Sequence, residues 1–225
     1  MSAAKDKQYV YDECYKAIIS LKLPPDTRLV ETKLVDVFSV KRPVIREVLK
    51  ELSLIGLVNI KPNVGAFVAA PTVKDAVDIM NLRKILEKEM ITPSLMELSS
   101  SQIQKLESLH DLEKESIKQG DKEGQIHHSM GFHLKLAEYS GNKYLYRTLK
   151  NLLAISSLVT STYGTKDKIS CHCNEHLLIL TAIKEKDIDK AKALMSQHIA
   201  TLTSSLNLEE PPKSKLDYYE VFNVE

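Results

Sequence analysis

Residues 31–68 read ETKLVDVFSVKRPVIREVLKELSLIGLVNIKPNVGAFV, and the fold turns on this stretch. Positions 31–38 have the spacing of a short helix, with Leu34, Val35 and Phe38 as its apolar face. Ser39-Val40-Lys41 is a turn. A further helix starts near Arg42, with Pro43 in its first turn, where a missing N–H costs no hydrogen bond. Ile45, Val48, Leu49, Leu52 and Ile55 make its buried stripe, and Gly56 is a natural stop. Positions 57–61 and 66–69 read as strands around the turn Pro62-Asn63-Val64-Gly65. Two short helices joined by a tight turn and followed by a β-hairpin define a winged helix-turn-helix.

Working outward, positions 7–22 carry Val10, Cys14, Ala17, Ile18 and Leu21 at helical spacing, and Pro24-Pro25-Asp26 stops that helix. Beyond the hairpin the pattern is helical to about 206, with six helices expected near 73–98, 101–119, 121–140, 142–163, 169–186 and 188–206. The fold class is therefore mainly α: a winged helix-turn-helix over 1–71, an all-α bundle over 72–206, and a tail over 207–225 that is disordered or packed as an extended strap.

Composition agrees with a globular chain of 225 residues. Apolar residues make up 43% and charged residues 27%, and the 7 glycines are few, which favours helix. Nothing approaches 18 consecutive apolar residues, so no membrane span is expected, and the first ten residues lack the apolar core of a secretory signal. Three cysteines make no disulfide framework, which points to reduced thiols and a cytoplasmic location. Net charge is +1, but residues 1–72 carry 11 Lys/Arg against 8 Asp/Glu, a mild bias toward an anionic partner.

Arg42, Arg46 and Lys50 are spaced four apart and share the face opposite the apolar stripe. In helix-turn-helix docking the first half of this helix enters the major groove, where an arginine fork pairs with guanine O6 and N7. Lys41, Lys50 and first-turn amides suit phosphate contacts. Thr32, Asn63 and Gly65 complete the candidate DNA-contact set, the last two at the wing turn. A merely solvated face, neutralised by Glu47 and Glu51, is the alternative.

Three of seven histidines fall on inward stripes of three different helices: His133, His176 and His198. If they converge, they form a site that Zn²⁺, Ni²⁺ or a similar ion accepts, with positions open for water or ligand. His172 lies one turn before His176. His110, His127 and His128 read as surface or partly buried. Cys171-His172-Cys173 is a second, weaker metal reading, since it lacks a second cysteine pair.

Several stretches together resemble the GntR family of bacterial transcription regulators: Leu23-Pro24-Pro25-Asp26-Thr27-Arg28-Leu29, Arg46-Glu47-Val48-Leu49, Gly56-Leu57-Val58 and Gly65-Ala66-Phe67-Val68. The second part resembles that family's FCD ligand-binding domain through Arg83-Lys84-Ile85-Leu86-Glu87, Phe132-His133, Ser140-Gly141-Asn142, Glu175-His176 and Gln197-His198-Ile199. The resemblance implies a homodimer on an inverted-repeat operator of double-stranded DNA. It also implies a small effector, often a carboxylate, held through a metal by one Asp and three His. His133, His176 and His198 match the three His, but Ser129 stands where the Asp is expected. Arg83 matches a position near the effector pocket, with a salt bridge to Glu87 as its structural alternative. Arg83, Ser129 and His172 are thus the effector-site candidates, and an organic acid is the expected effector. Lys41 and Val64 also depart from the family pattern, which has a small hydroxyl residue and a basic residue there.

A DNA-binding regulator, not an enzyme, is the reading these features support. A metal-dependent hydrolase would need a general base beside the histidines, and Glu175 points about 100° away from His176 on its helix. A helical interaction module with a degenerate wing is the other alternative.

Overall fold

Left-handed backbone at Leu21 (φ 60°) and Asp26 (φ 60°), with Pro24-Pro25 between them, ends the first helix and turns the chain. The computed structural model describes residues 3–164 and 173–208 and starts with α1 (Ala3–Ile19), three residues short of the expected end at 22. Val10, Cys14, Ala17 and Ile18 are buried along it, whereas Leu21 lies past its end and is half-buried. Then come β1 (Arg28–Leu29), α2 (Glu31–Phe38), α3 (Arg42–Leu54), β2 (Val58–Lys61) and β3 (Gly65–Val68).

Helix α3 buries Ile45, Val48, Leu49 and Leu52, as its spacing demands, each contributing about 1.5–3 kcal/mol of apolar burial. Ile55 falls at its C-cap and is half-buried. Helix α2 buries Leu34 and Val37, while Val35 and Phe38 are only half-buried. Eight residues make little more than two turns, so all four positions fall in one broad apolar arc, and packing selects the pair that faces inward. The three strands form one antiparallel sheet in the order β1-β3-β2, with Asn59 opposite Phe67 and Arg28 on the other side of Phe67. The wing turn closes with the Val64 amide donating to the Lys61 carbonyl at 3.1 Å. Gly65 has φ +132°, a backbone that side chains rarely adopt.

The described residues divide into two units between Thr72 and Val73. The second holds α4 (Val73–Glu89), a 3₁₀ turn (Pro93–Glu97), α5 (Ser100–Gln119), α6 (Lys122–Tyr139), α7 (Lys143–Tyr163), α8 (Cys173–Lys184) and α9 (Ile188–Ser204). The helix expected to run from 73 to 98 stops at Glu89. Pro93 disfavours helical backbone in the residue before it, and Thr92 is extended at φ −116°, ψ 166°. Other breaks are chemically marked. Ser99 and Gln102 form a capping box. Asn142 accepts from the amides of Tyr144 and Leu145, both at 3.1 Å, a cap that contributes about 1 kcal/mol.

Met80, Phe132, Leu136, Leu149, Leu153, Ile179, Met195 and Ile199 lie in one core drawn from all of α4 and α6–α9. Past α9 the chain bridges back to Gly164 through Leu206, and the Asn207 amide donates to the Tyr163 carbonyl at 2.7 Å. Asn207 and Leu208, the described part of the tail, lie against α7, and the remainder from 209 lies outside the described residues, as do Cys171 and His172. Among the described residues no helix is long and apolar enough to cross a membrane.

Candidate nucleic-acid interface and metal centre

In the first unit α3 and the wing frame an open groove lined by Arg28, Thr32, Arg42, Arg46, Lys50 and Asn63. Gly65 lines it too, and Lys41 is exposed at the N-cap of α3. The anion-facing candidates read from the sequence therefore surround one concavity, apart from Lys41. The partner of the two arginines is not one of those that the solvated-face alternative supplies. Glu51 pairs with Lys7 at 2.8 Å. Glu31, at the start of α2, takes both arginines: its Oε2 lies 2.5 Å from Arg42 Nε and 3.0 Å from Arg46 Nε. Burial alone would raise the Glu31 carboxyl, but the hydrogen bonds and charges of Arg42 and Arg46 outweigh it and hold the group below the usual carboxylate range. The Arg28 guanidinium donates from Nη2 to the Val64 carbonyl at 2.9 Å and so braces the wing tip from β1. Lys61 sits 4.6 Å from the centre of the Phe67 ring on the same hairpin.

In the second unit the three histidines converge. His133 comes from α6, His176 from α8 and His198 from α9, and all are buried. Their Nε2 atoms form a triangle with edges of 3.1, 3.2 and 3.3 Å. Each Nδ1 faces a carboxylate: His176 meets Glu113 at 2.7 Å, His198 meets Glu175 at 2.8 Å, and His133 is in ion-pair contact with Glu87. The His133–Glu87 approach lies off the hydrogen-bond direction, so His133 Nδ1 and Glu87 Oε2 make contact without a well-formed hydrogen bond. Phe132 stacks on the His176 ring at 4.5 Å and helps to fix its plane.

This arrangement decides the tautomers. At His176 and His198 the carboxylate hydrogen-bonded to Nδ1 holds the proton there, which leaves Nε2 as a bare lone pair. Burial, outweighing the Glu87 charge, drives the His133 pKa down to about 4, so that ring is neutral near pH 7. Three Nε2 atoms within 3.3 Å thus have at most one proton among them, that of His133, and one proton cannot satisfy both bare lone pairs. A cation at the centre removes the conflict. Metal–nitrogen bonds of about 2.0–2.1 Å at tetrahedral angles place ligand nitrogens about 3.3–3.4 Å apart, close to the observed edges. Three carboxylates less the Arg83 guanidinium leave two negative charges around the rings, which suits a divalent ion. The residues present fit a metal.

Beside the histidines lies a cavity of about 60 Å³ lined by Arg83, Glu113, Ser129, Ser157 and His198 among others. That is room for about four waters or a small ligand. Ser129 and Arg83 thus share a cavity wall with one of the three rings, while His172 is outside the described residues. Arg83 is 5% exposed and already engaged, its Nε with Glu87 and its Nη1 with Ser156 Oγ at 3.1 Å. The salt bridge weighed as its structural alternative is present, and it coexists with a place on the cavity wall. His110 is buried, not surface or partly buried as its position suggests. Glu113 and the pairing of Glu175 with His198 had no signal in sequence spacing; only Glu87, four residues after Arg83, had one.

Glu87 is wholly buried. Burial works against its ionisation, but the Arg83 guanidinium, with His133, overrides this and holds its carboxyl at about 2. Glu87→Ala is expected to strand the Arg83 charge and to cost about 3–5 kcal/mol, measured by denaturant unfolding. Unfolded Glu87 takes its proton near 4.5 and unfolded His133 near 6.5, both above their folded values. Stability therefore falls as pH drops from about 6.5 to 4, where the unfolded chain takes up the His133 proton first, and falls further from about 4.5 to 2, where the stabilising Glu87 charge is lost. A thermal midpoint that holds steady over that range, or a Glu87→Ala variant as stable as wild type, would remove this account.

The fold and site define a class: a winged-helix DNA-binding unit joined to a helical unit with a buried three-histidine centre. Comparison with known proteins names the family. Residues 7–68 match the model for bacterial regulatory proteins of the gntR family, and residues 78–201 match the FCD domain. The chain belongs to the GntR family, in its FCD-domain branch, and is a DNA-binding regulator of transcription, not an enzyme. It is 23% identical over 202 residues to the HTH-type transcriptional repressor RspR of Escherichia coli (strain K12), covering 88% of each chain. It is 25% identical over 190 residues to the HTH-type transcriptional regulator YdhC of Bacillus subtilis (strain 168), covering 84% of this chain and 85% of that one. Among solved structures, E. coli McbR/YncC superposes with a TM-score of 0.73 at 19% identity, covering 91% of this chain and 98% of the other, and supports the fold.

Proposed function

We propose that this regulator binds an inverted-repeat operator as a homodimer in the cytoplasm and answers to a small organic acid held at a metal in its helical unit. The observation that carries the effector half is the triangle of three buried Nε2 atoms beside a cavity of about 60 Å³. A Zn²⁺ or Ni²⁺ ion there would supply Lewis-acid positions for an acid's oxygens. His133, His176 and His198 hold the ion, Glu113 and Glu175 fix the tautomers of His176 and His198, and Glu87 lies against the His133 ring. Ser129, standing where the family has an Asp, leaves a coordination position for water or the effector itself. Arg83, on the cavity wall, offers charge to a carboxylate.

On the DNA side, Arg42 and Arg46 read base edges, and Lys41 and Lys50 with Thr32 meet phosphates. Asn63 and Gly65 bring the wing to the adjacent groove. The effector shifts the spacing of the two reading helices in the dimer, so that half-sites fit or misfit.

Selection of duplexes from a random-sequence library by the full-length protein tests this reading. The expected product is an inverted repeat with half-sites about one helical turn, 10–10.5 base pairs, apart or closer, bound by a particle of twice the chain mass. Selection of asymmetric single sites, or binding by a monomer, would overturn the dimeric operator.

A further inference from the structure

Resting on the operator-binding reading, we infer that Glu31 is a positioning residue for sequence selection: one carboxylate holds Arg42 and Arg46 together so that both forks face bases and not phosphates. Glu31 sits at the first position of α2, and the two arginines sit one turn apart on α3. The hydrogen bonds to Glu31 come from Nε of each arginine, at 2.5 Å from Arg42 and 3.0 and 3.2 Å from Arg46. An arginine anchored through Nε still presents its terminal nitrogens, the pair that matches guanine O6 and N7. Both arginines are more than half exposed, so these ion pairs add little to folding. Their consequence is geometric: two long, flexible side chains share one anchor.

The same carboxylate acts against the wrong target. Binding to arbitrary DNA rests on Lys and Arg neutralising phosphates. Turning Arg42 or Arg46 toward a phosphate breaks its bond to Glu31 and brings a second negative charge close to the backbone. Reading a guanine through the outer nitrogens leaves the bond intact. Glu31 thereby lowers non-specific affinity more than specific affinity, and specificity is that difference.

The test compares wild type, Glu31→Gln and Glu31→Asp in the full chain. Two fluorescent duplexes are used, one selected by wild type from a random library and one of shuffled sequence. Glu31→Gln is expected to bind the shuffled duplex about tenfold more tightly, with a salt slope steeper by about one to two. Its ratio of specific to non-specific affinity falls by at least about tenfold. Glu31→Asp keeps the charge at the start of α2 but is one methylene shorter, which draws the carboxylate back from both Nε atoms; its ratio falls in between. In a chain already carrying Arg42→Ala and Arg46→Ala, Glu31→Gln is expected to leave the ratio unchanged. An unaltered ratio in the single variant overturns the inference. So does an equal fall in the chain lacking both arginines, since the carboxylate would then act by charge alone. Failure of wild type to select any duplex is a different result: it removes the operator-binding reading, and this inference with it.

Discussion

His176→Ala, prepared with excess zinc or nickel and then dialysed, is expected to carry less than about a tenth of the metal that wild type carries at one ion per chain. Removing an outer partner of a metal-bound imidazole alone costs 10–100-fold in affinity, so removing a ligand costs at least about 100-fold. The loss is read by elemental analysis. It is also read by heat: an ion at about 100 times its dissociation constant stabilises by about 2.7 kcal/mol, or roughly 5–10 °C for a chain of this size. A chelator should lower the wild-type midpoint by that amount and leave the variant unmoved. Alanine also strands Glu113, which is 2% exposed. His176→Gln controls for this, because its amide can donate to that carboxylate. Equal metal content in wild type and both variants would end the three-histidine assignment.

Arg46→Ala should cost about 1–3 kcal/mol of discrimination, roughly 5–150-fold, at the base pair its fork reads. Binding to a shuffled duplex should change far less, because Glu31 already takes part of the Arg46 charge. Lys50→Ala offers the contrast. It lies in the groove on the same face of α3, and a phosphate contact predicts uniform weakening across sequences, with a salt slope smaller by about one. Titrations against single-base variants of the selected duplex separate the two. Arg46→Ala with its sequence preference intact would show that the groove is read by other residues.

The reading helix shows how much local chemistry could say in advance. Pro43 at its start, Gly56 after its end and four buried positions between them are all consequences of helical period and capping, which act over a few residues. Histidines on inward stripes were legible for the same reason. The expected 73–98 helix divides for an equally local reason: Pro93 disfavours helical backbone at Thr92. In α2 the choice of Val37 over Val35 was beyond the sequence, because two turns define an arc too broad to pick a face.

What the sequence by itself determined is therefore the order of elements, the winged helix-turn-helix, the helical character of the second unit and the side of each helix on which His133, His176 and His198 lie. Tertiary structure alone decided that the three Nε2 atoms meet within 3.3 Å, and that Glu113 and Glu175 hold His176 and His198 from other helices. It also chose Glu31, over the nearer Glu47 and Glu51, as the partner of Arg42 and Arg46. The reason is physical. Period and capping fix which way a side chain points from its own helix. Which groups it then meets depends on how helices far apart in the chain pack, and no spacing along one helix carries that information.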